Sequence, residues 1–210
     1  MNFQDIRKQV YNTTMEAVEA GLIYLSAGNI SARVDEDKIA ITPGGIKYSK
    51  LRPEDIAIVS LDGEFIDGPH KPSSETPMHT HIMKNMPDIN AVCHTHSEYA
   101  ITFAMLGEEI PRANLELFVC GAPIPVTPWA CPGTLNGGLE ALKFFKERPE
   151  LKAVILRSHG LIAIGGNLSN AFDIAYDAEV GLKTYHNCLQ IGKPIILTQK
   201  EIDEIHEAYA

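Results

Sequence analysis

The chain has 210 residues, of which 45% are hydrophobic and 21% charged, as in an ordinary globular protein. This length suits one domain with a sizeable core, so we expect a single domain over residues 1–210. A net charge of −9 argues against nucleic acid as a partner, because that partner requires a basic face. No apolar run approaches the length of a membrane span.

The N-terminus and the cysteines indicate the compartment. Residues 1–9 are polar and lack the apolar core of a signal peptide. The four cysteines are widely spaced and form no CxxC pair: Cys93, Cys120, Cys131 and Cys188. We expect reduced thiols in a soluble, cytoplasmic protein, with one or two buried disulfides as the alternative.

The first third of the chain predicts one helix followed by short strands. A series of apolar residues at helical spacing begins at Phe3 and stops at Gly21. Alternating apolar residues then predict strands at 30–34 and 38–42, joined by an acidic turn, and a hairpin over 56–66.

The rest of the chain alternates predicted helices with predicted strands. Hydroxyl residues just ahead of Pro77 and an amphipathic run form a helix-start signal. Predicted helices cover residues 76–86, 99–106, 135–146, 168–190 and 199–209, and predicted strands cover 90–95, 154–156 and 161–164. Residues 110–132 are rich in proline and receive no assignment. Helices interleaved with strands of both kinds predict a mixed sheet with helices on its two faces.

Two histidine pairs occur, and only one has the geometry of a metal site. His94 and His96 belong to the predicted strand, where residues two apart share a face about 6.5 Å apart. His79 and His81 belong to a predicted helix, where residues two apart are separated by about 200° and point to opposite sides. We therefore predict that His94 and His96 bind a metal ion.

His159 is the candidate for a third ligand. A catalytic zinc site needs about three protein ligands and an open position. His159 ends a predicted strand, and the following Gly160 allows a tight turn that leaves the imidazole in a cleft. For any single histidine, a surface or hydrogen-bonded core role is the simpler interpretation. The competing histidines are His70, His79, His81, His186 and His206.

Glu75, at the predicted helix start, has two interpretations. A carboxylate there could be only a helix-start charge, favourable by ~0.3–1 kcal/mol. Beside a metal, Glu75 could instead be a ligand, or take a proton from a carbon next to a polarised carbonyl.

Three short segments offer hydroxyls, amides or free backbone N–H groups to an anion. They are Gly28-Asn29, Thr42-Pro43-Gly44-Gly45 and Ser73-Ser74. Glycine-rich turns and helix starts can bind phosphate without lysine or arginine. Glycine and serine are also ordinary turn formers, so the alternative is a purely structural role.

Together these motifs resemble those of the class II aldolase/adducin family, in particular its L-fuculose-phosphate aldolase-type members. The resemblance covers nearly the whole chain and rests on five motifs in the family's order and spacing: Gly28-Asn29-Ile30-Ser31, Thr42-Pro43-Gly44-Gly45, Ser73-Ser74-Glu75, His94-Thr95-His96 and His159-Gly160. It implies a three-layer α/β/α fold with a mixed central sheet. It also implies one zinc ion per chain and a homotetramer with active sites at subunit contacts.

The resemblance also assigns roles to individual residues. It implies that His94, His96 and His159 bind zinc. It implies that Glu75 is a fourth ligand in the resting state and becomes the general acid/base once substrate displaces it. The residues that would hold the phosphate of a ketose 1-phosphate or of dihydroxyacetone phosphate are Gly28, Asn29, Thr42, Gly44, Ser73 and Ser74.

The chain departs from the fuculose-phosphate enzymes in its middle loop. Those enzymes place a tyrosine shortly after an Ile-Pro, where it protonates the aldehyde oxygen. Here Ile110-Pro111 is followed by Arg112-Ala113-Asn114-Leu115-Glu116. Glu116 could substitute for the tyrosine, or the aldehyde could differ. The family's C-terminal tail also brings a tyrosine toward the site, and Tyr209 is available for that role.

We therefore expect a zinc-dependent aldolase that reversibly cleaves a ketose 1-phosphate to dihydroxyacetone phosphate and a short aldehyde such as lactaldehyde. The alternatives within the family are a pentulose 5-phosphate 4-epimerase and a sugar-phosphate dehydratase. A non-catalytic adducin-like interaction module is the alternative from another class, and it has no reason to keep three histidines and the glutamate. Cobalt or manganese could replace zinc, since imidazole-rich sites accept several ions.

Overall fold

The computed structural model describes residues 3–209, and it describes side chains as far as residue 208. Seven α-helices and seven strands lie within these residues. The helices are α1 (Phe3–Glu19), α2 (Thr76–Asn85), α3 (Glu98–Ala104), α4 (Leu115–Val119), α5 (Leu135–Glu147), α6 (Leu168–Ile191) and α7 (Gln199–Tyr209). The strands are β1 (Asn29–Arg33), β2 (Lys38–Ile41), β3 (Ala57–Ser60), β4 (Phe65–Asp67), β5 (Ala91–Thr95), β6 (Ala153–Leu156) and β7 (Gly160–Gly165). Within these residues no helix has both the length and the apolar character needed to cross a membrane.

The strands form one sheet in the order β4-β3-β2-β1-β5-β7-β6. Every pair of neighbouring strands runs antiparallel. Among the described residues, parallel pairing is confined to an isolated bridge between Val126 and Ile155. The α/β class is confirmed, but the expected mixed sheet is corrected to an antiparallel one. One reason is that the short turns 34–37 and 157–159 join β1 to β2 and β6 to β7, and such turns connect only antiparallel neighbours.

Helices cover both faces of the sheet and give the three expected layers. On β5, Ala91 and Cys93 belong to a core that packs against α1, α3 and α6. Val92 belongs to a second core, which packs against α2 and α5. Successive side chains of a strand point to opposite faces of the sheet, so neighbouring residues of β5 enter different cores when both faces are buried. Because His94 follows Val92 at the same period, it lies on the face that α2 covers.

Most predicted elements agree with the structure. The helix α2 begins directly after the predicted start signal, and α1 ends shortly before Gly21, whose φ of 74° is left-handed. Residues 110–132, which received no assignment, contain α4 and an isolated bridge between Ile110 and Ile124. All four cysteines are free thiols, as expected.

Candidate metal centre

Three separate parts of the fold bring four ligand side chains to one place. His94 lies on β5, and His96 follows its last residue. His159 lies in the turn between β6 and β7, and Glu75 directly precedes α2. The ligand atoms of these four residues all lie within 4.8 Å of one another. They are the four residues that the sequence analysis selected as metal ligands.

Strand pairing and a helix start explain this convergence. In the β5–β7 pair, His94 lies opposite Ile162 and Thr95 opposite Leu161, so the turn before β7 lies beside the end of β5. Glu75 is the N-cap residue of α2, but its side chain makes no hydrogen bond to the N–H groups of that helix. The carboxylate of Glu75 is therefore free to point toward the histidines on the neighbouring strands.

The distances fit a small divalent cation. The Nε2 atoms of His94 and His96 are 3.1 Å apart. The carboxylate oxygens of Glu75 lie 3.1 Å from Nε2 of His94 and 3.3 Å from Nε2 of His159. Four ligands at ~2.0–2.2 Å from a tetrahedral zinc are separated by about 3.3–3.6 Å, which is close to these spacings.

The hydrogen bond on the far side of His94 also suits metal binding. Nδ1 of His94 lies 3.0 Å from the carbonyl oxygen of Leu161. A carbonyl oxygen only accepts, so Nδ1 carries the proton and donates it. Nε2 of His94 then keeps the lone pair that a metal ion requires.

Burial keeps two of the imidazoles neutral. It lowers the pKa of His96 to about 3 and the pKa of His159 to about 4, because a charged ring loses hydration inside the protein. Burial alone would raise the pKa of Glu75. The contact with His94 and the hydrogen bond from Asn29 outweigh that effect and hold the pKa of Glu75 below its ordinary value. Neutral imidazoles beside an ionised carboxylate are the protonation states that bind a divalent metal.

Behind Glu75 lie two further side chains that sequence reasoning misses, His79 and Ser31. Nδ2 of Asn29 donates to Oε2 of Glu75 at 2.8 Å. Oδ1 of Asn29 lies 2.5 Å from Nε2 of His79, and Nδ1 of His79 lies 2.6 Å from Oγ of Ser31. A signal was available, because His79 is one helical turn after Glu75, and Asn29 and Ser31 share one face of a strand. His79 and His81 are not among the described residues of the ligand group.

A polar cleft of about 330 Å³ opens beside the metal centre. Its described lining includes no lysine or arginine. Backbone N–H groups and hydroxyls therefore supply the contacts that this cleft can offer to an anion. Five of the six predicted phosphate residues line it: Gly28, Asn29, Gly44, Ser73 and Ser74. Three metal-centre residues and four residues that no motif indicated line it as well: Glu75, His96, His159, Ser26, Ala27, Pro132 and Gly133.

Thr42 differs from the other predicted phosphate residues. Its side chain is fully buried, and its Oγ1 accepts a hydrogen bond from the N–H of Ile30 at 3.3 Å. The carbonyl oxygen of Thr42 accepts a hydrogen bond from the N–H of Ser73 at 3.1 Å. Thr42 thus supports the loop that carries Ser73 and is not among the described residues that line the cleft.

Glu116 is not among the described residues of the cleft or of the metal group. It lies on α4, which is tied to α6 by a hydrogen bond from Nδ2 of Asn114 to the carbonyl oxygen of Gly181 at 3.0 Å. The pKa of Asp177 on α6 is raised, chiefly by burial. The negative charge of Glu116 contributes to the same increase, which requires Glu116 to be near Asp177. Glu116 therefore lies against α6, not beside Glu75. Tyr209 is the last residue of α7, and its side chain lies outside the described residues.

Comparison with known proteins identifies the family. The family profile described as "Class II Aldolase and Adducin N-terminal domain" matches residues 8–186. A 5-deoxy-D-ribulose 1-phosphate aldolase of Bacillus thuringiensis serovar kurstaki is 34% identical over 210 residues, which cover 100% of this chain and 97% of that protein. A 5-methylthioribulose-1-phosphate/5-deoxyribulose-1-phosphate aldolase of Rhodospirillum rubrum is 35% identical over 205 residues, which cover 97% of this chain and 90% of that protein.

The fold comparison agrees with the sequence comparison. The solved structure of an L-fuculose 1-phosphate aldolase superposes with a TM-score of 0.90 at 30% identity, covering 98% of this chain and 96% of that chain. Sequence and fold thus match aldolases over nearly their whole length. The chain belongs to the class II aldolase and adducin family, and it is an aldehyde-lyase of that family.

Proposed function

We propose that the protein is a zinc-dependent aldolase that reversibly cleaves a ketose 1-phosphate to dihydroxyacetone phosphate and a short aldehyde. The placement of Glu75 carries this proposal. Its carboxylate lies 3.1 Å from Nε2 of His94 and also lines the polar cleft. One side chain therefore touches both the predicted metal position and the predicted phosphate position. A carboxylate that served only as a helix-start charge would point at the N–H groups of α2, to which the side chain of Glu75 makes no hydrogen bond.

The metal would supply Lewis-acid chemistry. One zinc ion per chain, held by His94, His96, His159 and Glu75, would polarise the substrate carbonyl next to the bond that breaks.

Glu75 would move the proton. Glu75, which would hold the metal in the resting state, lines the same cleft and would act there as a base once it is released. In the synthetic direction Glu75 would take a proton from C3 of dihydroxyacetone phosphate, the carbon that then attacks the aldehyde. In the cleavage direction it would return that proton. Nδ2 of Asn29, which donates to Oε2 of Glu75, would hold the carboxylate in place meanwhile.

The cleft would hold the phosphate without a cationic side chain. Ser73 and Ser74 offer hydroxyls, and the backbone of Gly28 and Gly44 also lines the cleft. A dianion bound there lies beside Glu75 and His96, so the carbon chain extends from the phosphate toward the metal centre. This arrangement favours a substrate whose phosphate lies close in the chain to its carbonyl, as in a ketose 1-phosphate.

The relatives support the same substrate class. A 5-deoxyribulose 1-phosphate and an L-fuculose 1-phosphate both end in a methyl group. Cleavage between C3 and C4 of either sugar gives dihydroxyacetone phosphate and a short aldehyde, acetaldehyde or lactaldehyde. Incubation of the zinc-loaded protein with dihydroxyacetone phosphate and these aldehydes, followed by product analysis, tests the reaction. Interconversion of pentulose 5-phosphates without release of an aldehyde would instead favour the 4-epimerase.

We also propose a homotetramer with active sites at subunit contacts. The segment 118–129 is a candidate contact, because Val119 and Trp129 are 42% and 62% exposed and apolar. Light scattering at the assay concentration measures the assembly, and a fully active monomer would contradict shared sites.

The substitution Glu75→Gln tests the mechanism. We expect kcat to fall by roughly 10²–10⁴-fold, the usual contribution of general acid/base catalysis. Exchange of the C3 proton of dihydroxyacetone phosphate with deuterated solvent, which needs no aldehyde, should stop. Zinc should largely remain, because three histidines still bind it.

A matched control is Glu147→Gln, which makes the same chemical change at an exposed position on α5. That variant should exchange the proton at the normal rate. Normal exchange in zinc-loaded Glu75→Gln would show that Glu75 is not the proton carrier.

A further inference from the structure

A chain of hydrogen bonds runs from Glu75 into the protein interior. Oε2 of Glu75 accepts from Asn29 at 2.8 Å, Oδ1 of Asn29 lies 2.5 Å from Nε2 of His79, and Nδ1 of His79 lies 2.6 Å from Oγ of Ser31. His79 and Ser31 are fully buried, and Asn29 and Glu75 are 4% and 8% exposed. In such surroundings each polar atom needs the partner that it has, because little water can replace it.

Only one arrangement of protons satisfies this chain. An ionised carboxylate accepts and does not donate, so Asn29 turns its NH₂ group to Glu75 and its carbonyl oxygen to His79. Nε2 of His79 must then carry a proton and donate it, and Nδ1 of His79 accepts from the hydroxyl of Ser31. Burial lowers the pKa of His79 to about 3, so at neutral pH the ring holds one proton, as this arrangement requires.

His79 thereby reinforces the orientation that Glu75 sets for the carboxamide of Asn29. If the carboxamide turned over, its oxygen would meet the carboxylate of Glu75, and its NH₂ would meet the N–H of His79. Both contacts would be repulsive. A ring that donates from Nε2 therefore holds the NH₂ of Asn29 on the side of Glu75.

We propose that His79 is a positioning residue for proton transfer, because its Nε2–H fixes the carboxamide of Asn29, which in turn holds the carboxylate of Glu75. The inference rests on the proposed function, in which Glu75 carries the proton. His79 is not among the described residues of the metal group or of the cleft lining. Its influence therefore passes through Asn29 and does not come from contact with substrate.

Two substitutions at one position separate this role from simple packing. In His79→Gln, the longer side chain places an amide nitrogen near the position of Nε2 and can still donate to Asn29. In His79→Asn, the shorter side chain places its amide near Nδ1, beside Ser31, and cannot reach Asn29. Both variants bury a neutral amide in the same site, so they form a matched pair.

The rate of C3-proton exchange in dihydroxyacetone phosphate, measured at saturating zinc, should distinguish the pair. For His79→Asn we expect kcat for exchange to fall by roughly 10–100-fold, the usual effect of removing a partner that orients a ligand, with KM nearly unchanged. His79→Gln should recover most of the rate. Met83→Ala is the control for packing, because it opens a cavity where the same helix faces the second core. This variant should lower the melting temperature but keep kcat.

The outcomes separate the two proposals. Equal loss of exchange in both His79 variants, or normal exchange in His79→Asn, would overturn the positioning role. Absence of exchange in the wild-type protein would overturn the proposed function instead.

The ring of His79 itself gives a readout that does not depend on activity. Long-range ¹H–¹⁵N spectra of the histidine-labelled protein, with or without zinc, should show His79 as the neutral tautomer protonated at Nε2. A ring protonated at Nδ1, or a charged ring, would also overturn the inference.

Discussion

Gly160 lies where the turn that carries His159 comes closest to the end of β5. A Cβ atom at Gly160 would lie 2.2 Å from the carbonyl oxygen of Thr95 and 3.2 Å from Cε1 of His94. The expected reason for this glycine, a tight turn, needs correction. The residue of the turn with left-handed backbone is Ser158, at a φ of 55°. Gly160 is needed because it leaves space between β5, which carries His94, and the start of β7, which directly follows His159.

Gly160→Ala should therefore disturb the metal centre as well as the fold. We expect a loss of ~1–3 kcal/mol in the free energy of unfolding, the usual cost of overpacking, and weaker zinc binding. Urea unfolding and zinc titration measure the two effects. Gly192→Ala is the control, because nothing lies within 4 Å of its added Cβ and its φ of 173° is extended. That variant should change stability by less than about 0.5 kcal/mol. Unchanged zinc affinity in Gly160→Ala would contradict the explanation.

The buried ring of His79 makes a prediction about pH. Burial lowers its pKa from 6.5 to about 3, so the unfolded state binds more protons between these values. The stability that His79 contributes is therefore present above pH 6.5 and lost as the pH falls toward 3. This residue alone should lower the free energy of unfolding by up to ~1.4 kcal/mol per pH unit in that window. Urea unfolding of the metal-free protein at several pH values measures this slope. His79→Gln, which does not titrate, should give a flatter curve, and an identical curve would contradict the assignment.

At the scale of elements, the packing of α2 against α5 sets the place of Glu75. A Cβ at Gly138 on α5 would lie 2.9 Å from Cα of Met78 and 3.2 Å from its carbonyl oxygen. At the neighbouring Gly137, the nearest atom would be Sδ of Met78 at 3.7 Å. Met78 belongs to the first turn of α2, directly after Glu75. The absence of a side chain at Gly138 therefore allows the start of α2 to lie where the metal centre needs it.

Two alanine substitutions on α5 should have opposite effects. Gly138→Ala must push α2 and α5 apart, so we expect a net loss of stability of ~1–3 kcal/mol and a lower rate of C3-proton exchange. Gly137→Ala meets only the end of a flexible side chain, and the better helix propensity of alanine should stabilise the protein by up to about 1 kcal/mol. Thermal unfolding and the exchange assay measure both variants. Equal stabilities would show that the close approach of the two helices does not matter.

At the scale of the whole molecule, the metal centre lies at the ends of elements that are already anchored. β5 and β7 contribute to the cores on both faces of the sheet, and α2 packs into the second core. A domain with cores of this extent does not require a metal ion to fold. Metal binding is therefore separable from folding in this protein.

Removal of the metal should abolish turnover and leave the fold intact. Elemental analysis of the purified protein should find about one zinc ion per chain. A chelator should stop the aldolase reaction without changing the far-UV circular dichroism, and added zinc should restore the rate. Global unfolding on chelation would mean that the site is structural.

Local periodicity was enough to predict part of the site from the sequence. The strand period placed His94 and His96 on one face, and the helix period separated His79 from His81. Both periods follow from backbone geometry within a few residues, so they can be deduced without knowledge of the fold. The start of α2 after Ser73 and Ser74 was predictable for the same reason.

The meeting of distant segments was decided only by the tertiary structure. The chain alone does not show that β1, β5 and β7 are neighbours, or that all strands pair antiparallel. That pairing brings Asn29 within 2.8 Å of Glu75 and sets His79 behind it. It also buries Thr42 behind the cleft, although its motif resembles a phosphate loop. Such contacts depend on packing between segments far apart in sequence, which local patterns of residues do not encode.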